Sequence, residues 1–223
     1  MSETIGLNGI ILSSQPVGEY DRRVVILTKE RGKIACFARG ARKPTSKLGG
    51  LTRVFSFGTF FVFEGRSSYN IHGAEIKNYF ENVIKDYDTT LYACYFCEIA
   101  DYYGREGIES KDAINLLYGA ISALKNPDLH PVLIKSVYEI RAVADQGECP
   151  PLEEIFKEPD RQFSENTIKA FNYVLTSVPE KLFKFTVGDE TRETLEKISE
   201  KIIAYAIDKR LRSKEMLPSD REV

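Results

Sequence analysis

Short runs of β-branched and aromatic residues, separated by turn-forming residues, occupy the first 80 positions of the chain. They span residues 5–13, 23–28, 33–38, 54–63 and 69–76. Runs of this length and composition predict five β-strands. The turn ending at Gly32 predicts a hairpin between the second and third strands, because glycine adopts the left-handed conformation that such turns use. No helical pattern interrupts these runs, so we expect a five-stranded barrel of the OB type.

From residue 81 onward, apolar residues recur at every third and fourth position, which predicts helices. The predicted boundaries are a stop at Gly104, a cap at Ser110, a start at Pro131, a cap at Ser164 and a start at Asp189. We expect Lys209, Arg210 and Arg212 at the end of the last helix, where they would complement its dipole. The sequence therefore predicts an OB domain over residues 1–80 and an all-α domain over residues 81–223.

Composition places the chain among ordinary globular proteins, since 43% of its 223 residues are hydrophobic. The first residues show no secretory pattern, and no apolar run is long enough to cross a membrane. Four cysteines suit free thiols in a reducing compartment better than a disulfide framework. We expect a cytoplasmic, nucleoid-associated monomer without a membrane partner.

Charge is segregated along the chain. Residues 22–53 contain ten basic residues and one acidic residue, whereas the remainder contains 21 basic and 32 acidic residues, for a net charge of -2. At the centre of this window lies the basic loop, residues 39–50, with four cations, three glycines and a proline. Clustered cations repel one another unless an anion lies among them, which favours a phosphate backbone as ligand. The alternative is a solvated basic surface.

Aromatic residues of the same half are candidates for stacking on bases, as in OB domains that bind single strands. They are Phe37, Phe55, Phe57, Phe60, Phe61, Phe63 and Tyr69. Because alternation buries one face of each strand, we expect most of these rings in the core.

Motifs that would indicate catalysis or a metal site are weak. Cys94 and Cys97 form a C-x-x-C spacing in a predicted helix, where two buried cysteines are the simpler interpretation. His72 and His130 are isolated, and no nucleophile, zincin or phosphate-loop motif occurs. Glu19 and Asp21 precede two arginines and are expected to form local ion pairs. We predict no catalytic residue, metal or cofactor, although a triad assembled in space remains an alternative.

Two stretches resemble the RecO family of bacterial recombination and repair mediators. The first, residues 9–50, reads GIILSSQPVGEYDRRVVILTKERGKIACFARGARKPTSKLGG. The second, residues 138–152, reads YEIRAVADQGECPPL. The resemblance implies an N-terminal OB domain and a helical C-terminal domain. It also implies binding of single- and double-stranded DNA, strand annealing, and partnership with RecR and single-stranded DNA-binding protein.

The resemblance also implies site residues. The matching DNA contacts are Arg22, Arg23, Lys33, Arg39, Arg42, Lys43 and Lys47, to which we add Arg53 from the same basic window. Gly40 and Gly49 would shape the loop, together with Gly50. A hydrophobic pocket flanked by a cation would receive the acidic, phenylalanine-ending tail of single-stranded DNA-binding protein. Arg141 is the candidate cation, with an ion pair to Asp145 as the alternative.

One departure concerns zinc. Many RecO proteins carry two cysteine pairs after the second motif, which form a four-thiolate site. In this chain Ile155 and Glu158 occupy the positions of the first pair, and no cysteine follows Cys149. Four soft ligands close a structural zinc site, so we predict that this zinc finger is lost and that packing replaces it.

Together these observations predict a non-enzymatic DNA-binding mediator that brings complementary strands together and helps to load recombinase onto protein-coated single strands. The alternative is an OB-fold module that binds RNA or serves translation, because the basic window alone fits it equally well.

Overall fold

The computed structural model describes residues 3–65, 68–156 and 162–218, which form two compact units. The first combines the residues up to Glu81 with Cys97–Ile114, and the second combines Asn82–Phe96 with the residues from Asn115 onward. The domain boundary near residue 80 stays a prediction. The two compact units do not follow it fully, because residues 97–114 belong to the first unit.

The first unit contains a closed barrel of five strands. They are β1 (Thr4–Val17), β2 (Asp21–Thr28), β3 (Gly32–Ala38), β4 (Phe57–Glu64) and β5 (Tyr69–Asn78). Neighbours follow the order β1-β2-β3-β5-β4, and β4 closes the barrel by pairing with β1. Among these five strands, β3 and β5 pair in parallel and the other neighbours pair antiparallel. The OB-type barrel predicted from the sequence is therefore confirmed.

Alternation along the strands fills the barrel with apolar side chains. The core residues include Leu7, Ile11, Val24, Ile26, Ile34, Cys36, Phe60, Val62, Tyr69 and Ile71. Burial raises the pKa of the Cys36 thiol to about 12. The interior is therefore packed, and a ligand of this unit has only its outer faces and loops to contact.

Residues 104–110 pair with the hairpin between β2 and β3. Glu106 bridges to Gly32, and the backbone N–H of Gly107 donates to the Arg31 carbonyl at 2.9 Å. Gly32 has φ of 64°, and a Cβ there would lie 2.0 Å from the Arg105 carbonyl oxygen. Both the turn and this close approach therefore require glycine at this position.

The helices are α1 (Leu48–Leu51), α2 (Glu81–Ile84), α3 (Tyr87–Tyr103), α4 (Lys111–Ala123), α5 (Pro131–Ala144), α6 (Glu165–Thr176) and α7 (Asp189–Ala206). The boundaries predicted at Gly104, Ser110, Pro131, Ser164 and Asp189 agree with the structure, whereas no signal predicted the short helices α1 and α2. The Ser164 hydroxyl caps α6 by accepting from the Thr167 N–H at 3.2 Å. In the described residues, no helix combines the length and apolar character that a bilayer span needs.

The prediction for the end of the last helix was wrong. Helix α7 ends at Ala206, and Ile207 leaves the helical conformation with φ of -109° and ψ of 106°. This change of direction accompanies the burial of Ile207 and Leu211. Lys209, Arg210 and Arg212 therefore follow the helix rather than end it.

Candidate nucleic-acid interface

The basic loop leaves β3 as a series of tight turns and ends in α1. Gly40 has φ of 67°, in the left-handed region that glycine tolerates. Backbone hydrogen bonds run from Ala41 N to Ala38 O at 3.3 Å, from Lys43 N to Gly40 O at 3.1 Å and from Ser46 N to Lys43 O at 2.9 Å. The loop backbone therefore follows a defined path.

The turn between β1 and β2 holds this loop in place. A carboxylate oxygen of Asp21 accepts from the Gly40 N–H at 2.7 Å, and the Tyr20 carbonyl accepts from the Arg42 N–H at 2.8 Å. The Arg42 guanidinium also donates to the Gly18 carbonyl at 3.0 Å. Asp21 thus orients the loop backbone, and among the described residues it does not form the predicted ion pair. Sequence reasoning missed this role because the partners lie about 20 positions apart.

Six of the eight predicted DNA contacts are exposed side chains. They are Arg23, Arg39, Arg42, Lys43, Lys47 and Arg53. The Lys43 Nζ lies 5.4 Å from the centroid of the Tyr20 ring, and the Arg53 guanidinium carbon lies 5.0 Å from that of Tyr79. Within the described part of the chain, none of the six forms an ion pair with a carboxylate. Their charge therefore remains available to an external anion.

The remaining two predicted contacts are half-buried and engaged. Arg22 donates from Nη1 to the Ser14 hydroxyl at 3.3 Å, while its buried Nε has no hydrogen-bond partner among the described residues. The Lys33 ammonium pairs with an Asp101 carboxylate oxygen at 3.2 Å and also donates to the Asp101 carbonyl. Lys33 is therefore the least available of the eight cations.

A polar groove of about 500 Å³ lies beside Lys33 on the outside of the barrel. Its lining includes the cations Arg23, Lys33 and Arg105 and the acids Asp101 and Glu106. Mixed charges of this kind attract a phosphate backbone less strongly than the basic loop does.

The seven aromatic candidates divide by burial. Phe55, Phe60 and Tyr69 are buried. Phe37, Phe57, Phe61 and Phe63 are half-buried on the outer side of their strands. The latter four are therefore partly accessible to solvent.

Arg141 lies on α5, where its guanidinium has several partners. Its Nε pairs with Asp145 at 2.6 Å, and its Nη1 donates to the carbonyls of Val174 and Ser177 at the end of α6. A cation at this position complements the C-terminal dipole of α6. The alternative predicted from the sequence, an ion pair with Asp145, is present, and the partner-binding role of Arg141 stays a prediction.

An apolar cavity of about 460 Å³ lies in the second unit between α4 and the turn at Pro179–Lys181. Its lining includes Tyr118, Gly119, Phe183 and Lys184, and Arg141 does not line it. Lys184 therefore supplies a cation at this cavity.

The described residues do not fit a four-thiolate zinc site. Cys149 is a free thiol that lies 3.7 Å from the Pro150 carbonyl oxygen, and Glu158 lies outside the described residues. Cys94 and Cys97 form no disulfide within the described part of the chain. Over residues 3–65, 68–156 and 162–218, no three His, Cys, Asp or Glu side chains are grouped so that they could hold a metal ion.

A closed five-stranded barrel whose basic loop is exposed defines the first unit as an OB-fold domain. Comparison with known families then identifies the chain more closely. The model described as "Recombination protein O N terminal" matches residues 1–80, and "Recombination protein O C terminal" matches residues 84–157. The chain therefore belongs to the RecO family, which confirms the resemblance of the two stretches.

Individual relatives agree with this assignment. The chain is 25% identical to "DNA repair protein RecO" of Acetivibrio thermocellus, over 91% of each chain. It is 27% identical to that of Alkaliphilus metalliredigens, over 92% of this chain and 94% of the relative. A shorter match to the protein of Clostridium acetobutylicum is 36% identical over 53% of this chain and 48% of the relative.

Proposed function

We propose that this protein is a non-enzymatic mediator of DNA repair and recombination that binds single- and double-stranded DNA and anneals complementary strands. The observation that carries the proposal is the set of exposed cations on the basic loop, Arg39, Arg42, Lys43 and Lys47. Family membership supports it, because related chains carry the name DNA repair protein RecO.

The mechanism is electrostatic. Two DNA strands repel each other through their phosphates, and cations placed between them lower that repulsion. Because the basic loop contacts phosphates rather than base edges, the bases remain available for pairing. Binding is consequently indifferent to sequence and sensitive to salt.

The same proposal includes protein partners. RecR and single-stranded DNA-binding protein are the partners through which the chain helps to load recombinase onto coated strands. The cavity lined by Phe183 and Lys184 supports the second of these, because it offers an apolar site beside a cation to an acidic tail that ends in phenylalanine.

Charge reversal of the loop tests the proposal. We expect the triple variant Arg42→Glu, Lys43→Glu and Lys47→Glu to bind oligonucleotides far more weakly at low salt. Each phosphate contact contributes roughly 0.7 to 0.9 to the slope of log K against log salt, so the slope should fall by about 2 to 3. Fluorescence anisotropy of labelled single strands and duplexes, measured across a salt series, gives both quantities.

A matched control makes the same change in net charge elsewhere. Lys197, Lys201 and Lys209 are exposed, and their replacement by glutamate should leave the salt slope unchanged. Equal losses in the two triple variants would contradict the assignment of DNA to the loop. Preferential binding and annealing of RNA would favour the alternative RNA-binding module.

A further inference from the structure

One row of residues, each paired with the next across neighbouring strands, crosses the outside of the barrel. Strand pairing aligns Phe63 with Asn70, Asn70 with Phe37, and Phe37 with Arg23. Their neighbours in the strands, including Val62, Ile71, Cys36 and Val24, belong to the barrel core. Because successive side chains point to opposite faces, the row faces outward.

Two further rings extend this row along β4 and β5. The centroid of the exposed His72 ring lies 6.3 Å from that of Phe63 and 6.4 Å from that of Phe61. Phe61 pairs with Gly6 on one side and with Gly73 on the other, so neither of its directly paired residues has a side chain beside the ring. We call Phe37, Phe61, Phe63 and His72 the aromatic face.

An unpaired polar group lies in the same row. Asn70 is 9% exposed, and its Oδ1 has no hydrogen-bond partner among the described residues. In the pairing register it stands between Phe63 and Phe37. A buried acceptor without a donor costs free energy, and a ligand that donates a hydrogen bond would recover it.

The aromatic face is continuous with the cations of the first unit. Phe37 pairs directly with Arg23, and the chain reaches the exposed Arg39 two residues beyond Phe37. Rings, an unpaired amide and free cations therefore follow one another across adjacent strands. A single-stranded nucleic acid complements this surface. Its bases stack on rings and donate hydrogen bonds, and its phosphates bind cations.

We propose that unpaired bases of single-stranded DNA stack on the aromatic face while the flanking phosphates contact Arg23 and Arg39. This inference rests on the proposed DNA-binding function and adds a second contact surface to the basic loop. Duplex DNA lacks free base faces, so it uses the basic loop alone. The aromatic face thus distinguishes single strands from duplexes.

Phe37→Leu and Phe63→Leu test this surface, because each removes a ring and keeps an apolar side chain. We expect each variant to weaken single-strand binding by about fivefold to 150-fold, the range that alanine substitution of one stacking ring produces. Duplex affinity and the salt slope should not change, since no cation is removed. Phe57→Leu is the matched control, because Phe57 is also half-buried on β4 but lies outside the row.

An abasic oligonucleotide tests the same idea without altering the protein. It presents phosphates without bases, so the wild-type chain should bind it at least as weakly as Phe63→Leu binds the normal strand, because all stacking contacts are lost. Equal affinity for normal and abasic strands would overturn the inference, as would equal losses in Phe57→Leu and Phe63→Leu. Tighter binding of RNA than of DNA would overturn the assignment of the ligand.

The two proposals fail in different ways. If the wild-type chain binds neither single strands nor duplexes, the proposed function itself is wrong. If it binds both with a steep salt dependence and the ring variants match the wild type, only the aromatic face is wrong. Circular dichroism melts of each variant, matched to the wild type, establish that the barrel is intact.

Discussion

At the residue scale, two adjacent glycines of the basic loop differ in the space available for a side chain. A Cβ on Gly49 would lie 2.7 Å from the Ala41 carbonyl oxygen, whereas a Cβ on Gly50 would meet nothing within 4 Å. Both lie in α1, and neither has a positive φ. Gly49 therefore permits the loop to fold back on itself, and the structure gives no packing reason for Gly50.

This difference predicts opposite effects of the same substitution. Gly49→Ala should lower the free energy of unfolding by about 1–3 kcal/mol, because the added methyl group forces the loop apart. Gly50→Ala should be neutral or stabilising by up to about 1 kcal/mol, since alanine favours a helix more than glycine does. Urea unfolding followed by circular dichroism measures both values, and similar losses in the two variants would contradict the packing seen here.

Sequence reasoning reached the cations of the site but not the groups that orient them. The ten-to-one charge ratio of residues 22–53 identifies the basic residues directly. It contains no information that Asp21 accepts from the Gly40 N–H or that Asp101 pairs with Lys33. These contacts depend on the closure of the barrel and on the return of residues 97–114 to it, which local patterns do not report.

At the scale of elements, the apolar pattern located all five strands but placed the end of β1 and the beginning of β4 several residues too early. The predicted strand over residues 54–63 begins at Phe57 in the structure. Phe55 is 4% exposed and has φ of 70°, so it is buried in a turn rather than in a strand. Apolar periodicity reports burial, and a buried turn gives the same signal as a strand.

Helix α5 carries a buried polar network that the apolar pattern also concealed. Glu139 is fully buried and accepts hydrogen bonds from the hydroxyls of Tyr95 and Ser199. The buried Lys135 lies 4.0 Å from Glu139 and pairs with Glu196 at 3.1 Å. Because each member depends on its partners for solvation, loss of one donor leaves an uncompensated charge in the core.

The network should make stability fall at high pH. Burial, together with the nearby Glu139, raises the pKa of Tyr95 above its ordinary value of 10.0. Burial alone lowers the pKa of Lys135, but Glu139, Glu196 and Glu200 outweigh it and raise the pKa above 10.5. Groups that hold protons more tightly when folded contribute stability that is complete below their unfolded pKa and is lost as the pH rises above it.

We therefore expect the melting temperature to fall above about pH 10. Tyr95→Phe should cost about 1–3 kcal/mol at pH 7, because Glu139 loses a donor, and it should make the alkaline decline shallower. Tyr205→Phe is the control, since Tyr205 is 78% exposed. Thermal melts from pH 7 to pH 11 provide the measurement, and an unchanged alkaline decline in Tyr95→Phe would show that this tyrosine does not contribute to it.

At the scale of the whole molecule, opposite charges belong to different parts of the chain. The basic window lies within the first unit, whereas the residues outside that window carry an excess of acidic over basic residues, 32 against 21. A bound polyanion should therefore slow amide exchange in segments of the basic window and leave exchange in the acidic segments unchanged. Hydrogen–deuterium exchange on the full chain resolves these segments without separating the units.

With a single-stranded oligonucleotide at low salt, we expect slower amide exchange in residues 37–53 and in β5, and no change in α5, α6 or α7. The protection should disappear as salt is raised, because counterion release drives the binding. The triple variant at Lys197, Lys201 and Lys209 should retain it, and the variant at Arg42, Lys43 and Lys47 should lose it. Protection confined to α5, α6 and α7 would contradict the proposed interface, because it would place the polyanion away from the exposed cations of the basic window.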